Sequence, residues 1–350
     1  MLDRLGVEGG PSRRVIGGGI ALGLLVALPL VISGPGNDLD VGNVFRSGRA
    51  IARHGSYLPS RAPGSPVHEF VVGLLDLIGG PLLTNLASLL VAALLLVGLD
   101  RLLRHEGIRS GGRWAVVLVA VNPWFVIAAT STADYLFALA FIVAAALALR
   151  ADRSLLAGAL AALAMGCRIG SASLIAALMI AELTSHPESG ESGRERRPQW
   201  RRSALAAIVA VAGTLVLFVP SFVQAKGVAF AKNDFSTSSL LVQFGRAGVK
   251  DLTLLGTLGS LVALVAIPAL IVALRTWRTS WLVRFSFFGL VFSQVLFLRF
   301  PWKMPHLLPS LLCVAVLLAV ALDRKPQLLV VLVGLQLLFA VVRVDVVQPD

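Results

Sequence analysis

Apolar runs long enough to cross a lipid bilayer recur along the whole chain, and nothing else limits its folding as much. Residues 15–32, 82–100, 203–220 and 305–322 each approach the roughly 20 apolar residues that a membrane-crossing helix needs. Of the 350 residues, 57% are hydrophobic and only 14% are charged. A soluble domain carries about 25% charged residues. The expected fold is therefore all-α, a polytopic transmembrane helical bundle. No segment between the runs is long enough for a separate soluble domain, so 1–350 reads as a single transmembrane domain. The first run exceeds the roughly 7–15 residues of a signal-peptide core and has no clear small-x-small cleavage site after it, so it reads as a retained helix.

Hydropathy places helices near 15–33, 82–100, 114–130, 134–149, 154–168, 170–184, 203–220, 252–274, 280–298, 305–322 and 327–342, about eleven spans. The apolar stretch Pro66–Ile78 is too short to cross and is followed by Gly79-Gly80-Pro81. Read as a helix lying in the outer interface, it leaves the N-terminus, 101–113, 150–153, 185–202, 275–279 and 323–325 on the cytoplasmic side. Those loops hold most of the Arg and Lys, as the positive-inside rule requires. The net charge of +12 is accounted for in this way and gives no reason to expect nucleic acid. The loop 185–202, polar and rich in Gly, Pro and Arg, is expected to be flexible and cytoplasmic. The two cysteines, Cys167 and Cys313, read as small buried hydrophobes without a disulfide or metal signature. The chain is expected to be a multi-pass protein of the plasma membrane.

With this topology the outer face collects polar residues that loops and caps do not explain. The first extracytoplasmic loop, 34–81 with its juxtamembrane helices, carries Asp38, Asp40, Arg46, Arg49, Arg53, His54, Tyr57, Arg61, His68 and Glu69. Asp134 follows, then Arg168 at the turn between two spans, then Lys226, Lys232, Asp234, Arg246 and Lys250 in a loop over 221–251, then Arg299, Lys303 and His306. Cations on this side run against the positive-inside trend. Contact with anionic headgroups or solvation explains any one of them, whereas the set suits a phosphate held by charge-assisted bonds. Asp38 and Asp40 sit where a carboxylate can take a proton from an attacking hydroxyl or hold a divalent metal. A solvated turn after Gly34-Pro35-Gly36 is the plainer account of the same pair. Asp134 is either a helix-dipole acid or a second acidic group facing the first loop.

Taken together, these segments resemble the GT-C superfamily of membrane glycosyltransferases, which includes protein O-mannosyltransferases and aminoarabinose transferases. The likeness rests on a first helix followed by Asp38 and Asp40, then Ala50 and Gly55-Ser56-Tyr57. Ser60-Arg61-Ala62-Pro63-Gly64-Ser65-Pro66 is similar to the superfamily's SRPPG-x-P loop. Asn122-Pro123-Trp124, leading to Ser131 and Asp134, is similar to its third span and second outer loop. Lys303 with His306-Leu307-Leu308-Pro309 is similar to its late RYLLP segment. In place of the Asp-Glu pair of O-mannosyltransferases the chain has Asp38-Leu39-Asp40.

The resemblance implies a sugar donor carried on a polyprenyl phosphate and transfer to a glycan, lipid or protein acceptor on the outer face. It implies Asp40, with Asp38 as rival, as general base or metal ligand. Arg61, Arg168, Arg299, Lys303 and His306 are then expected at the donor phosphate. Tyr57, Glu69 and Asp134 are expected to touch substrate. If a divalent cation such as Mg or Mn takes part, Asp38, Asp40 and Asp134 are the expected ligands. A lipid or solute transporter would need polar residues along a mid-membrane path, and these helices are nearly free of them. A non-catalytic membrane scaffold would leave the outer acids and cations dispensable.

Overall fold

The computed structural model describes residues 23, 27–36, 39–184, 199–224, 239–265, 267–299 and 301–339. Most of the first expected span, Asp38, Lys226, Lys232, Asp234 and the greater part of the 185–202 loop lie outside the described residues. Every regular element among the described residues is helical.

Helix α1, Leu39–His54, has Asp40 in its first turn and Arg53 and His54 in its last, the charge order that the helix dipole favours. Asp40 thus lies on a helix, not on the extended strand that a paired Asp38/Asp40 face would need. Val41, Val44 and Phe45 bury against Val72 of α2, Pro66–His105. The two helices cross at Gly48 and Gly73. A Cβ on Gly48 would lie 2.7 Å from the Gly73 amide nitrogen, so only a bare backbone allows this approach. Helix α2 begins with Pro66 and breaks at Gly79 (φ −149°) and Gly80 (φ 62°), just before Pro81. The expected interfacial piece and the second span are the two arms of this broken helix.

Helices α3, Ser110–Ala120, and α4, Pro123–Ala129, replace the expected span 114–130 and are bent by 66°. Asn122 causes the break. Its side chain accepts from the Trp124 amide at 3.1 Å, and Pro123 supplies no donor. Then come α5, Tyr135–Arg150; α6, Ser154–Cys167; α7, Ala172–Leu183; and α8, Gln199–Gln224. The chain continues as α9, Leu240–Thr253; α10, Thr257–Val265; α11, Ile267–Arg275; α12, Trp281–Arg299; α13, Leu308–Leu322; and α14, Gln327–Phe339. Helix α9 occupies part of what the sequence suggested was a loop. The expected span 252–274 is instead divided between α10 and α11.

Among the described residues four helices are long and apolar enough to cross a membrane, or five if the bent α3–α4 pair counts as one. Four more apolar helices have only 10–17 residues. Among the described residues the helix lengths alone do not add up to eleven full-length spans, because prolines, glycines and polar turns cut several runs short.

Helices α5, α6, α7 and α13 form the centre. Ala145, Ala146, Ala157, Ala161, Ala164, Ala177, Ala181, Ala315 and Ala319 are fully buried there. Small residues let backbones approach closely where lipid supplies no hydrophobic drive. The outside is apolar: Leu90, Leu94, Ile208, Leu215, Val216 and Val223 are all more than half exposed. Such a surface suits acyl chains rather than water. Both cysteines are buried and unbridged.

Candidate active site

Five separated stretches meet at one end of the bundle. Asp40 comes from the first turn of α1, and Arg61 and Ser65 from the loop before α2. Asp134 and Tyr135 open α5. Arg168 sits in extended backbone between α6 and α7 (φ −156°, ψ 114°), and Lys303 and His306 lie in the turn between α12 and α13.

The charges interlock. Lys303 Nζ lies 2.8 Å from Asp40 Oδ2, and Arg61 Nη1 lies 3.4 Å from the same oxygen. The other Arg61 Nη bonds Asp134 and also donates to Ser65 Oγ at 3.2 Å. Arg168 Nη1 donates to Asp134 Oδ1 at 3.1 Å, and its guanidinium lies 3.9 Å from the Tyr135 ring centroid. The Tyr135 ring in turn faces that of His306 at 5.8 Å. Three cations thus stand against two carboxylates.

Burial pushes the Asp40 carboxyl up, but the Lys303 hydrogen bond and the Arg61 charge outweigh it and hold Asp40 below the usual range. Asp134 is 3% exposed; there too burial is overcome, by Arg61 and then Arg168, and the carboxyl is held well down. Burial would lower Arg61, yet Asp134 and Asp40 raise it. All three groups are therefore held in their charged forms.

The loop bearing Arg61 is fixed from below. Glu69, fully buried in the first turn of α2, accepts from the Tyr57 hydroxyl at 2.5 Å and from the Ser60 amide at 2.9 Å. Burial and the neighbouring Glu69 charge keep Tyr57 protonated. Ser221 of α8 donates to the Pro63 carbonyl. Gly64 has φ +100°, and a Cβ there would lie 2.3 Å from the Tyr57 hydroxyl. Only glycine suits that position.

A cavity of about 340 Å³ opens beside these charges. Asp40, Arg61, Arg168, Lys303 and His306 line its polar end. Leu139, Ile142, Leu174, Leu296 and Phe297 line an apolar extension. Ile142 lies two turns along α5 from Tyr135, so the apolar part reaches about 10 Å down that helix. A second cavity of about 240 Å³ shares Asp40, Arg61 and Tyr135 with the first and continues among Val41, Val44, Ile127 and Ala128. The Asp40–Arg61 pair separates the two spaces. Beside the second cavity, Asn85 holds the Val31 and Gly34 carbonyls at 3.0 and 2.7 Å, and Thr132 bonds the Asn85 side chain at 2.9 Å.

The structure therefore brings together Asp40, Arg61, Asp134, Arg168, Lys303 and His306. Tyr57 and Glu69, expected to touch substrate, line neither cavity; each holds the other and the loop. Arg299 lies exposed in the last turn of α12 and lines neither cavity. Arg49 pairs with Asp76 at 2.6 Å, away from the site. His68 is fully buried with its ring edge on Phe137 at 5.0 Å. Tyr135, Ser65 and Ser221 were not anticipated. A usable signal existed for the first: the chain has only two tyrosines, and Tyr135 directly follows Asp134.

Of the three carboxylates expected to hold a divalent cation, Asp38 lies outside the described residues. No group of three His, Cys, Asp or Glu gathers among the described residues, and Asp40 and Asp134 are both engaged by cationic side chains.

Fold and site together define a class: a polytopic helical membrane protein with a charged pocket at the ends of its helices. Solved structures give that class a particular form. The chain matches ArnT from Cupriavidus metallidurans in two states, bound to undecaprenyl phosphate with a TM-score of 0.60 and apo with 0.57. Identity is 17% in each case, over 88% of this chain and 60% of ArnT. The chain thus spans about three-fifths of the length of the structures it matches. No family model and no curated protein matches it. The likeness establishes a fold like that of ArnT.

Proposed function

We propose that this site moves a sugar from a polyprenyl-phosphate donor to an acceptor hydroxyl. The observation that carries the reading is the first cavity, cationic at one end and apolar along the other. A lipid phosphate has the same two halves. The solved ArnT bound to undecaprenyl phosphate shares the fold and supports this choice.

The donor phosphodiester bears one negative charge. Three cations against two carboxylates leave one positive charge to meet it. Arg168, Lys303 and Arg61 hold the phosphate, and the polyprenyl chain follows Leu139, Ile142 and Phe297. The acceptor enters by the second cavity and meets the anomeric carbon on the face opposite the phosphate. Its oxygen bonds to that carbon while the carbon–phosphate oxygen bond breaks. Asp40 takes the hydroxyl proton. Negative charge grows on the departing phosphate, where the fixed cations stabilise it. Asp134 keeps Arg61 and Arg168 in place. The basic residues Arg101, Arg104, Arg109, Arg113, Arg150 and Arg153 lie at the opposite helix ends, and by the positive-inside rule this supports a cavity on the extracytoplasmic side.

The test is transfer of a labelled sugar from a polyprenyl phosphate by the purified protein in lipid nanodiscs. Asp40→Asn, alone and with Asp38→Asn, should lower transfer at least ~100-fold while the protein still folds and undecaprenyl phosphate still binds. Near-normal transfer by the double variant would overturn the assignment.

A further inference from the structure

Helix α9 is built inside out. Gln243, Lys250 and Asp251 face the protein, and Arg246 stays exposed beside Trp302. Gln243 and Ala247 are buried, and Lys250 Nζ donates to the Trp302 carbonyl at 2.6 Å. The Arg246 guanidinium lies 5.3 Å from the Trp302 ring centroid, and Asp251 Oδ1 accepts from Gln294 of α12 at 2.8 Å. The large apolar side chains point the other way: Leu241 is 82% exposed, Val249 63% and Phe244 58%. A helix on an aqueous surface shows the reverse pattern. With 14 residues, α9 is too short to span. On α12, against which α9 packs, Val291 and Val295 continue the outward apolar surface.

We infer that α9 lies in the outer leaflet with its apolar face among acyl chains, and that Lys250 uses this seat to position Lys303. The link is direct. Lys250 holds the carbonyl of Trp302, and the next residue carries the ammonium that meets Asp40. Trp302 itself lines the first cavity. The leaflet thus sets the height of Lys303 over the pocket. Lys250 and Arg246 both reach this one turn of chain, Lys250 at the Trp302 carbonyl and the exposed Arg246 at the Trp302 ring. The second half of the inference rests on Lys303 as a ligand of the donor phosphate.

Two measurements decide it. First, Leu241→Cys carries a nitroxide label in phosphatidylethanolamine–phosphatidylglycerol nanodiscs; the native cysteines are buried. Collision with lipid-soluble oxygen should exceed collision with a water-soluble nickel chelate. Preferential access by the nickel chelate, or shielding from both, would overturn the leaflet seat whatever the protein's activity. Second, Lys250→Met should weaken binding of undecaprenyl phosphate about tenfold, and Lys250→Arg should restore it. Unchanged binding in Lys250→Met alongside weakened binding in Lys303→Ala would overturn the positioning role. If Lys303→Ala binds as well as the unaltered protein, the reading of the pocket fails instead, and the nitroxide result still decides where α9 lies.

Discussion

Both ends of this bundle carry buried charge, and they use it differently. At the end away from the cavities, Arg150 pairs with Glu106 at 2.8 Å, and Arg202 bonds Asp152, the Leu149 carbonyl at 2.9 Å and Glu182 at 3.6 Å. Arg284 donates to the Trp277 and Arg278 carbonyls at 2.7 and 3.0 Å. Three arginines face three carboxylates, and none of the six lines either cavity. At the other end three cations face two carboxylates beside an open space. A balanced, closed cluster ties helix ends together. An unbalanced cluster at a cavity leaves one positive charge beside an open space, which is what the proposed anionic donor requires.

The largest expected contrast comes from replacing an ion pair at each end. Glu182→Leu with Arg202→Met exchanges a buried pair for apolar packing. Such exchanges are neutral or stabilising by about 1–4 kcal/mol, and transfer should persist. Asp134→Leu with Arg168→Met makes the same exchange at the cavity. It should leave a foldable protein and lower transfer at least ~100-fold. Thermal unfolding and sugar transfer on the same six variants, two pairs and four single changes, check this. Removing Asp134 alone should cost about 3–5 kcal/mol, because Arg61 and Arg168 then lose a buried partner. Loss of transfer in the Glu182/Arg202 variant at unchanged stability would erase the distinction between the ends.

That distinction was only half visible in the sequence. The cavity end could be read because its residues break local rules: Arg168 interrupts an apolar run, and Lys303 and His306 stand between prolines on the side where cations are scarce. The opposite end obeyed the positive-inside rule, so Arg150 and Arg202 looked like loop residues, and Arg284 went unremarked inside the expected span 280–298. Their burial depends on five helix ends converging, which no single segment encodes. Helix breaks were legible wherever Gly or Pro forced them, as at Gly79-Gly80-Pro81 and Asn122-Pro123. Helix α9 was missed because its polar face packs on protein. Its residues Gln243, Arg246, Lys250 and Asp251 lowered the mean hydropathy and made a lipid-facing helix look like a loop. Tyr57 and Glu69 show the converse: they are polar and near the site, and they bond each other.

A smaller effect sharpens the role of the surplus cation. Lys303 supplies the largest influence lowering Asp40, with burial opposing it. A carboxyl held below its unfolded value of about 3.9 contributes stability above that pH and loses it as pH falls through its own lower value. Transfer by the unaltered protein should therefore show no acid limb from Asp40 above about pH 4. In Lys303→Met the burial remains while its main counterweight is gone, so the limb should move upward. The pH dependence of kcat/KM in both proteins is the check. An unmoved limb in the variant would mean that the ammonium does not hold Asp40 ionised.

The smallest effect belongs to a charge pair of neither kind. Arg104 bonds Asp100 one turn earlier on α2, with the arginine side chain 36% exposed. This pair lies near the closed end but outside its buried cluster. Its Coulomb attraction is screened by water, and both side chains give up rotamer freedom to make it. Arg104→Ala should therefore change stability by no more than ~0.5 kcal/mol and leave transfer as it was. A loss of several kcal/mol, read from thermal unfolding, would show that the buried cluster extends outward along α2 to Asp100. The contrast between the two ends would then be one of extent rather than of charge balance, since removing Arg104 would expose an acid that the three arginines do not neutralise.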